Sequence, residues 1–280
     1  MYSKFLSAVF TLTIGCGCVF SQQRDTFLGI KLRPDVRVIV KEIEDKTRQP
    51  IHAEFAQQPD FQFGASFIDD DSGAAFVLVD PGVRVDQQKL EAIITHELLH
   101  LRLRVNNYPT FIFSPSIKTA KGRAIDVEQE HVNDLLSVIE HRVFKSDMEK
   151  YGLYRFIDIA GDTAADARNR NGSEDGQADA INYARAILEY SDPKDTALVK
   201  QLFQANGWTR SLREGADIAD AISTSALKTP KDIEAVFLRC LLTLYRPPGA
   251  SFTFTLTPDP ANKYFPRLVI NAAKTAKKRT

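Results

Sequence analysis

The chain has 280 residues, of which 44% are hydrophobic and 26% are charged, a composition typical of a soluble globular protein. Lysine plus arginine and aspartate plus glutamate each total 36, so the formal net charge is zero. Proteins that bind the phosphate backbone of nucleic acids usually carry a basic excess, and this balance therefore argues against a nucleic-acid partner.

Residues 1–21 have the pattern of a secretory signal peptide. Lys4 precedes a mainly apolar run that ends at Phe20, and polar residues follow. The run is shorter than the about 20 apolar residues that span a bilayer, which favours removal over retention as an anchor. We therefore expect an exported protein, periplasmic or extracellular. In an alternative interpretation, lipid attached to Cys16 anchors the protein, and only this version would contact a membrane.

Cysteine usage agrees with this interpretation of the N-terminus. Of the three cysteines, Cys16 and Cys18 lie in the predicted signal peptide, and only Cys240 lies beyond it. The cleaved chain could then form no intramolecular disulfide. Cys240 lies in an apolar stretch, so we expect it to be a buried structural thiol.

Three β-strands are predicted in the first third of the chain. Residues 36–43 are rich in β-branched side chains, and residues 61–68 alternate loosely between apolar and polar. Residues 74–79 form a short apolar run that ends at the turn sequence of residues 80–82.

Two helices are predicted next. Asp86 is a candidate N-cap for a helix over residues 87–105, where apolar residues recur at helical spacing. After a proline-containing loop over residues 106–119, a long amphipathic helix is predicted over residues 124–145.

The rest of the chain is predicted to be mainly helical. Residues 162–176 are polar and contain glycine, which indicates a mobile connection. Four helices and a final strand follow in the prediction, at residues 177–190, 194–205, 211–223, 231–245 and 251–256. Strands followed by helices indicate an α+β fold, with an N-terminal region over residues 22–160 and a mainly helical C-terminal region over residues 177–280.

The sequence His96-Glu97-Leu98-Leu99-His100 is an HExxH motif within the first predicted helix. Residues four apart share one face of a helix, so both imidazoles can bind the same zinc ion. Glu97 lies beside that face, where it can accept a proton from water without binding the metal. The surrounding helix is strongly apolar, so these polar side chains require a function there.

Residues 95–101 resemble the active-site helix of zincin metallopeptidases, and residues 75–79 resemble the zincin edge strand that pairs with an extended substrate. The resemblance covers about residues 60–150. It implies that residues 22–160 form a zincin-like metallopeptidase core, with a short mixed sheet, an active-site helix and a third-ligand helix. A helical C-terminal half would follow this core.

The metzincin branch requires a glycine three residues after His100 and a histidine three residues later, but Leu103 and Asn106 occupy these positions. The resemblance is therefore to gluzincins, which take a glutamate from a later helix as the third zinc ligand.

Three residues are candidates for this third ligand. Glu140 is the first choice, because residues 135–141 resemble the second motif of minimal gluzincins and helical periodicity puts Glu140 beside the apolar face. Glu130, with Asp134 four residues later, has a spacing seen in some gluzincins but points away from that face. His141 is a third option on its chemistry alone. Weaker candidates, as donors to a tetrahedral oxyanion, are His131, Tyr108, Tyr151 and Tyr154.

The sequence thus predicts a zinc metallopeptidase that hydrolyses peptide or protein substrates. His96, His100 and Glu140 would hold Zn²⁺, and Glu97 would act as general base for water that zinc activates. The substrate would lie extended along residues 75–79. Two alternatives remain open: a non-catalytic, zinc-stabilised binding domain, and a hydrolase of a non-peptide amide such as a cell-wall bond.

Overall fold

A computed structural model describes residues 26–57, 63–113, 127–156, 159–170, 172–189, 192–245 and 252–274. The predicted signal peptide, including Cys16 and Cys18, lies outside these residues, as does the start of the strand predicted at residues 61–68. The described residues form a helix-rich α+β fold, in agreement with the predicted class.

The elements up to the loop after the HExxH helix are β1 (Thr26–Phe27), β2 (Ile30–Lys31), α1 (Pro34–Thr47), β3 (His52–Phe55), β4 (Gly64–Ile68), β5 (Ala75–Val79), a 3-10 turn (Pro81–Val85), α2 (Gln87–Val105) and β6 (Thr110–Phe113). The later elements are α3 (Gln129–Val143), α4 (Lys145–Tyr151), a second 3-10 turn (Leu153–Phe156), α5 (Ile159–Asn169), α6 (Gly176–Leu188), α7 (Pro193–Ala205), α8 (Thr209–Ser223), α9 (Pro230–Tyr245), β7 (Phe252–Pro258) and β8 (Arg267–Lys274).

The strand predicted at residues 36–43 is wrong, because this segment lies within helix α1. Its β-branched side chains are spaced for a helix: Val36, Ile39 and Ile43 are buried, whereas Val38 is 66% exposed. Pro34 starts the helix, where its fixed φ and missing N–H are tolerated. Burial of one helical face therefore outweighs the β-propensity of these residues.

The first three-stranded sheet has the order β3-β5-β4. β5 is parallel to β3 and antiparallel to β4, so residues 75–79 form the central strand. The predicted role of these residues as an edge strand is therefore wrong, because both sides of β5 are already paired. Among the described residues, β3 and β4 are the two edge strands of this sheet.

Helix α2 packs on this sheet, mainly against β4. It spans the predicted residues, and the side chain of Asp86 caps its N-terminus by accepting a hydrogen bond of 2.9 Å from the Lys89 backbone N–H. α2 is buried nearly all round, with apolar side chains against the sheet, α1 and the 3-10 turns. This packing leaves little freedom in the orientation of the HExxH side chains.

The second sheet has the order β6-β8-β7, with β6 parallel and β7 antiparallel to β8. The final predicted strand corresponds to β7, whereas β6 and β8 were not predicted. The turn between β7 and β8 contacts the loop between β4 and β5 of the first sheet. The side chain of Asn262 donates a hydrogen bond of 2.8 Å to Asp70, and the Tyr264 hydroxyl donates one of 3.0 Å to the Asp71 carbonyl.

The four helices predicted after residue 176 are present as α6 to α9. The predicted mobile connection over residues 162–176 is wrong in its first part, because α5 extends to Asn169. Helix α3 packs against α6, α8 and α9 in one hydrophobic cluster. This core thus contains side chains from both regions delimited in the sequence. None of the helices described here is both long and apolar enough to span a bilayer.

Candidate metal centre

Three histidines from two helices converge at one point. His96 and His100 lie one turn apart on α2, and His141 lies near the end of α3. The Nε2 atoms are 3.2 Å apart for His96 and His100, 3.2 Å for His96 and His141, and 3.3 Å for His100 and His141.

This spacing fits the coordination of a metal ion. Imidazole nitrogens bound to zinc lie about 2.0–2.1 Å from the ion, and tetrahedral angles then separate two of them by about 3.4 Å. The three histidines are therefore close enough to hold a metal ion. Burial, with the neighbouring His141 and His100, lowers the pKa of His96 well below its usual value, which keeps this ring in the neutral form that a metal requires.

Glu140, the preferred third ligand from the sequence, is not part of this cluster. Its Oε2 lies 2.7 Å from Nδ1 of His100, on the ring edge away from the convergent nitrogens, and its Oε1 forms an ion pair with Arg104. Burial would raise the pKa of Glu140, but Arg104 and His100 outweigh it and lower the pKa. The carboxylate is therefore ionised and oriented toward the back of His100, while His141 occupies the third position of the cluster.

His141 has a similar carboxylate partner in Glu189, the C-cap residue of α6. Oε1 of Glu189 lies 2.8 Å from Nδ1 of His141, and Nε of Arg185 lies 3.5 Å from the same oxygen. A carboxylate at this distance favours the tautomer with the proton on Nδ1, and that tautomer leaves the Nε2 lone pair available to the cluster. The sequence analysis missed Glu189, because no local pattern links a helix C-terminus to a histidine 48 residues earlier.

Glu97 lies on α2 between the two histidines and is only 7% exposed. The Ser66 hydroxyl, on β4, donates a hydrogen bond of 2.8 Å to its Oε2. Burial raises the pKa of the Glu97 carboxyl, although His100 and the Ser66 hydrogen bond oppose this shift. Gly64 makes the close approach of β4 possible, because a Cβ there would lie 2.8 Å from Ile93 and 3.1 Å from a Glu97 oxygen.

The cluster opens into a cleft of about 1690 Å³. One wall is β4, and His96, Glu97 and His100 contribute to the lining. Residues of β6, polar residues of α3 and residues of the turn between β7 and β8 also line the cleft. Two of the three cluster histidines, His96 and His100, therefore border this cleft.

The other candidates from the sequence lie outside the cluster. Glu130 is exposed on α3. His131 lies 2.8 Å from the Tyr245 hydroxyl through Nδ1, and the Tyr108 hydroxyl donates a hydrogen bond to the Lys228 carbonyl. Tyr151 and Tyr154 pack with the core around α1 and α2.

Comparisons with known proteins give no match: no protein family, curated protein or solved structure is significantly similar to this chain.

Proposed function

We propose that the protein is a zinc-dependent hydrolase that cleaves peptide bonds. The observation that carries this proposal is the convergence of three imidazole Nε2 atoms beside the buried carboxyl of Glu97, at an open cleft. Three protein ligands are typical of catalytic zinc sites, whereas structural sites have four. The cluster of described residues has three members, which favours an enzyme over a zinc-stabilised binding domain.

The ligands proposed are His96, His100 and His141, with Glu140 and Glu189 orienting the last two. Imidazole nitrogens are common zinc ligands, and three of them leave the fourth coordination position open for water or substrate. Zinc in such a site lowers the pKa of water and polarises a substrate carbonyl. The side chains of the protein bind the metal ion, orient the substrate and transfer the proton.

Glu97 is the proposed general base. It takes the proton from the attacking water and returns it to the leaving amine. Both steps need a carboxyl that lies beside the histidine face of α2 but does not bind the metal. Ser66 holds this carboxyl by one hydrogen bond. The burial that raises the Glu97 pKa brings it nearer to neutral pH, where a group can both accept and donate a proton.

The proposed substrate is an extended peptide lying along β4, in place of the strand expected from the sequence. The outer edge of β4 has no partner among the described strands, and an unpaired edge can bind an extended chain through backbone hydrogen bonds. Ser66 lies on this strand, so a peptide bound there passes close to Glu97.

The test compares wild type with Glu97→Gln and, as a matched control on the same helix, Glu91→Gln, whose side chain pairs with Arg33. Zinc content is measured by elemental analysis, and cleavage of a broad peptide library is followed by mass spectrometry. We expect all three proteins to bind one zinc ion per chain. Glu97→Gln should lose about 10²- to 10⁴-fold in cleavage rate, as when a general base is removed, and Glu91→Gln should not.

Two outcomes would contradict the proposal. Equal cleavage by wild type and Glu97→Gln would show that Glu97 is not the base. A fully zinc-loaded wild type that cleaves no peptide would favour the zinc-stabilised binding domain or the hydrolysis of a non-peptide amide.

We also propose that the protein acts outside the cytoplasm, after removal of residues 1–21. The intact mass of protein from its native host tests this location. A chain that still begins at Met1 would contradict it, and a lipid on Cys16 would support the anchored form.

A further inference from the structure

Three aromatic rings form a row across the first sheet. His52 on β3, Phe76 on β5 and Phe67 on β4 are register partners on neighbouring strands. Phe67 and Phe76 stack with ring centroids 5.0 Å apart and planes 7° apart, and Phe76 and His52 stack at 5.0 Å and 22°. The row thus repeats at about the spacing of the strands, roughly 4.8 Å.

The row ends at the edge where the proposed substrate would bind. Phe67 is 44% exposed and lines the cleft, and among the described rings only Phe76 stacks on it. Phe67 follows Ser66 directly, so it points to the face of the sheet opposite to Glu97. A peptide added beside β4 would put one of its own side chains about one strand spacing beyond Phe67.

We propose that the outer face of Phe67 is a specificity subsite for an aromatic side chain of the substrate. This inference rests on the proposed function. The aromatic ring of the substrate would be the fourth ring of the row and would stack parallel to Phe67, as the first three rings stack on one another. Aromatic pairs are favourable at centroid distances of 4.5–7 Å. The neighbouring peptide residue lies beside Ser66, and therefore near Glu97. The preferred aromatic residue is thus within one or two positions of the cleaved bond.

The experiment uses zinc-loaded, full-length protein and three peptides that differ at one position. The parent peptide is one that the protein cleaves in the peptide library. It carries phenylalanine at the position where cleaved peptides are enriched in aromatic residues. The other two carry cyclohexylalanine, which is apolar and similar in size but not aromatic, or leucine. Aromatic pairing contributes about 0.5–1.5 kcal/mol beyond area burial, so wild type should favour phenylalanine over cyclohexylalanine by roughly 2- to 13-fold in kcat/KM, mainly through KM.

Three variants assign this preference to the ring of Phe67. Phe67→Leu should lose the preference for phenylalanine over cyclohexylalanine while keeping its zinc, and Phe67→Tyr should retain it. His52→Ala removes the ring at the far end of the same row and should leave the preference unchanged. A preference that survives in Phe67→Leu, or is absent from wild type, overturns the subsite while the peptidase proposal stands.

If wild type hydrolyses no peptide, the proposed function fails and the subsite is tested by binding alone. An array of fluorescent peptides carrying phenylalanine or cyclohexylalanine then replaces the cleavage assay. Selective binding of phenylalanine peptides to wild type but not to Phe67→Leu supports the subsite, and equal binding overturns it. A wild-type dimer that Phe67→Leu converts to monomer would also overturn it, because a second copy would then occupy this edge.

Discussion

The identity of the third ligand can be tested with substitutions on one helix. His141→Ala removes a nitrogen of the cluster. Glu140→Gln removes only the negative charge behind His100 and keeps an oxygen that can accept a hydrogen bond from Nδ1 of His100. Glu130→Gln is the matched control, because Glu130 is exposed on the same helix. We expect Glu130→Gln to bind zinc as tightly as wild type does. Glu140→Gln should bind zinc more weakly, and His141→Ala should bind it most weakly.

The magnitudes follow from what each side chain contacts. A four-ligand structural zinc site is worth about 10–16 kcal/mol, or roughly 2.5–4 kcal/mol per ligand. His141→Ala should therefore weaken zinc binding by about two to three orders of magnitude. Loss of a carboxylate behind a ligand histidine typically weakens binding by about 10- to 100-fold. Glu140→Gln has a second cost, because it leaves the Arg104 guanidinium, 15% exposed, without its anionic partner. After His141→Ala the Glu189 carboxylate keeps Arg185.

The assay is competition for zinc with a chromophoric chelator at fixed pH, together with urea unfolding of the metal-free proteins. Breaking a buried ion pair costs about 3–5 kcal/mol, so metal-free Glu140→Gln should be much less stable than wild type. Metal-free His141→Ala should be affected less in stability than in zinc affinity. If Glu140→Gln loses two to three orders of magnitude in zinc affinity while remaining as stable as wild type, and His141→Ala keeps wild-type affinity, Glu140 is the ligand and the assignment of His141 is refuted.

Three further predictions concern other parts of the molecule. Glu189→Gln should weaken zinc binding by about 10- to 100-fold in the same competition assay; unchanged affinity would show that the contact with His141 does not support the metal. Burial raises the pKa of Cys240 to about 12, so its thiol should resist iodoacetamide at pH 8 in the folded protein and react only after unfolding, as followed by peptide mass spectrometry. Ile39→Ala should lower the free energy of unfolding by about 2–5 kcal/mol, whereas the exposed Val38→Ala should change it by less than about 0.5 kcal/mol; similar effects of the two in urea unfolding would contradict the helix at α1.

The sequence was sufficient for helix α2, because several independent signals coincide there. Asp86 is a side-chain N-cap, and the apolar residues that follow recur at helical spacing. The same reasoning located both ends of each helix from α6 to α9 to within two residues. Such elements can be predicted because their pattern depends on local geometry and one buried face.

Sheet order could not be read from the sequence in the same way. β5 is a short apolar run, as expected for a strand, but no local feature indicates whether a strand is central or at an edge. β6 was not recognised, and its partner β8 lies more than 150 residues later. β3 and β8 were also missed, although β3 pairs with the nearby β5 and β8 with the preceding strand β7. Long-range pairing such as that of β6 with β8 leaves little trace in local patterns.

The choice between Glu140 and His141 shows where the sequence stops being informative about the site. The two residues are adjacent on α3, about 100° apart around the helix, and both are buried. Periodicity puts only Glu140 beside the apolar face, and His141 is a candidate on its chemistry alone. The rotation of α3 against α2 decides which of the two meets His96 and His100. That rotation is set by packing of α3 on α6, α8 and α9, and α6 also supplies Glu189 behind His141. The position of the third histidine therefore depends on the C-terminal helices, and changes in that part of the protein that leave every cluster residue intact should still alter metal affinity.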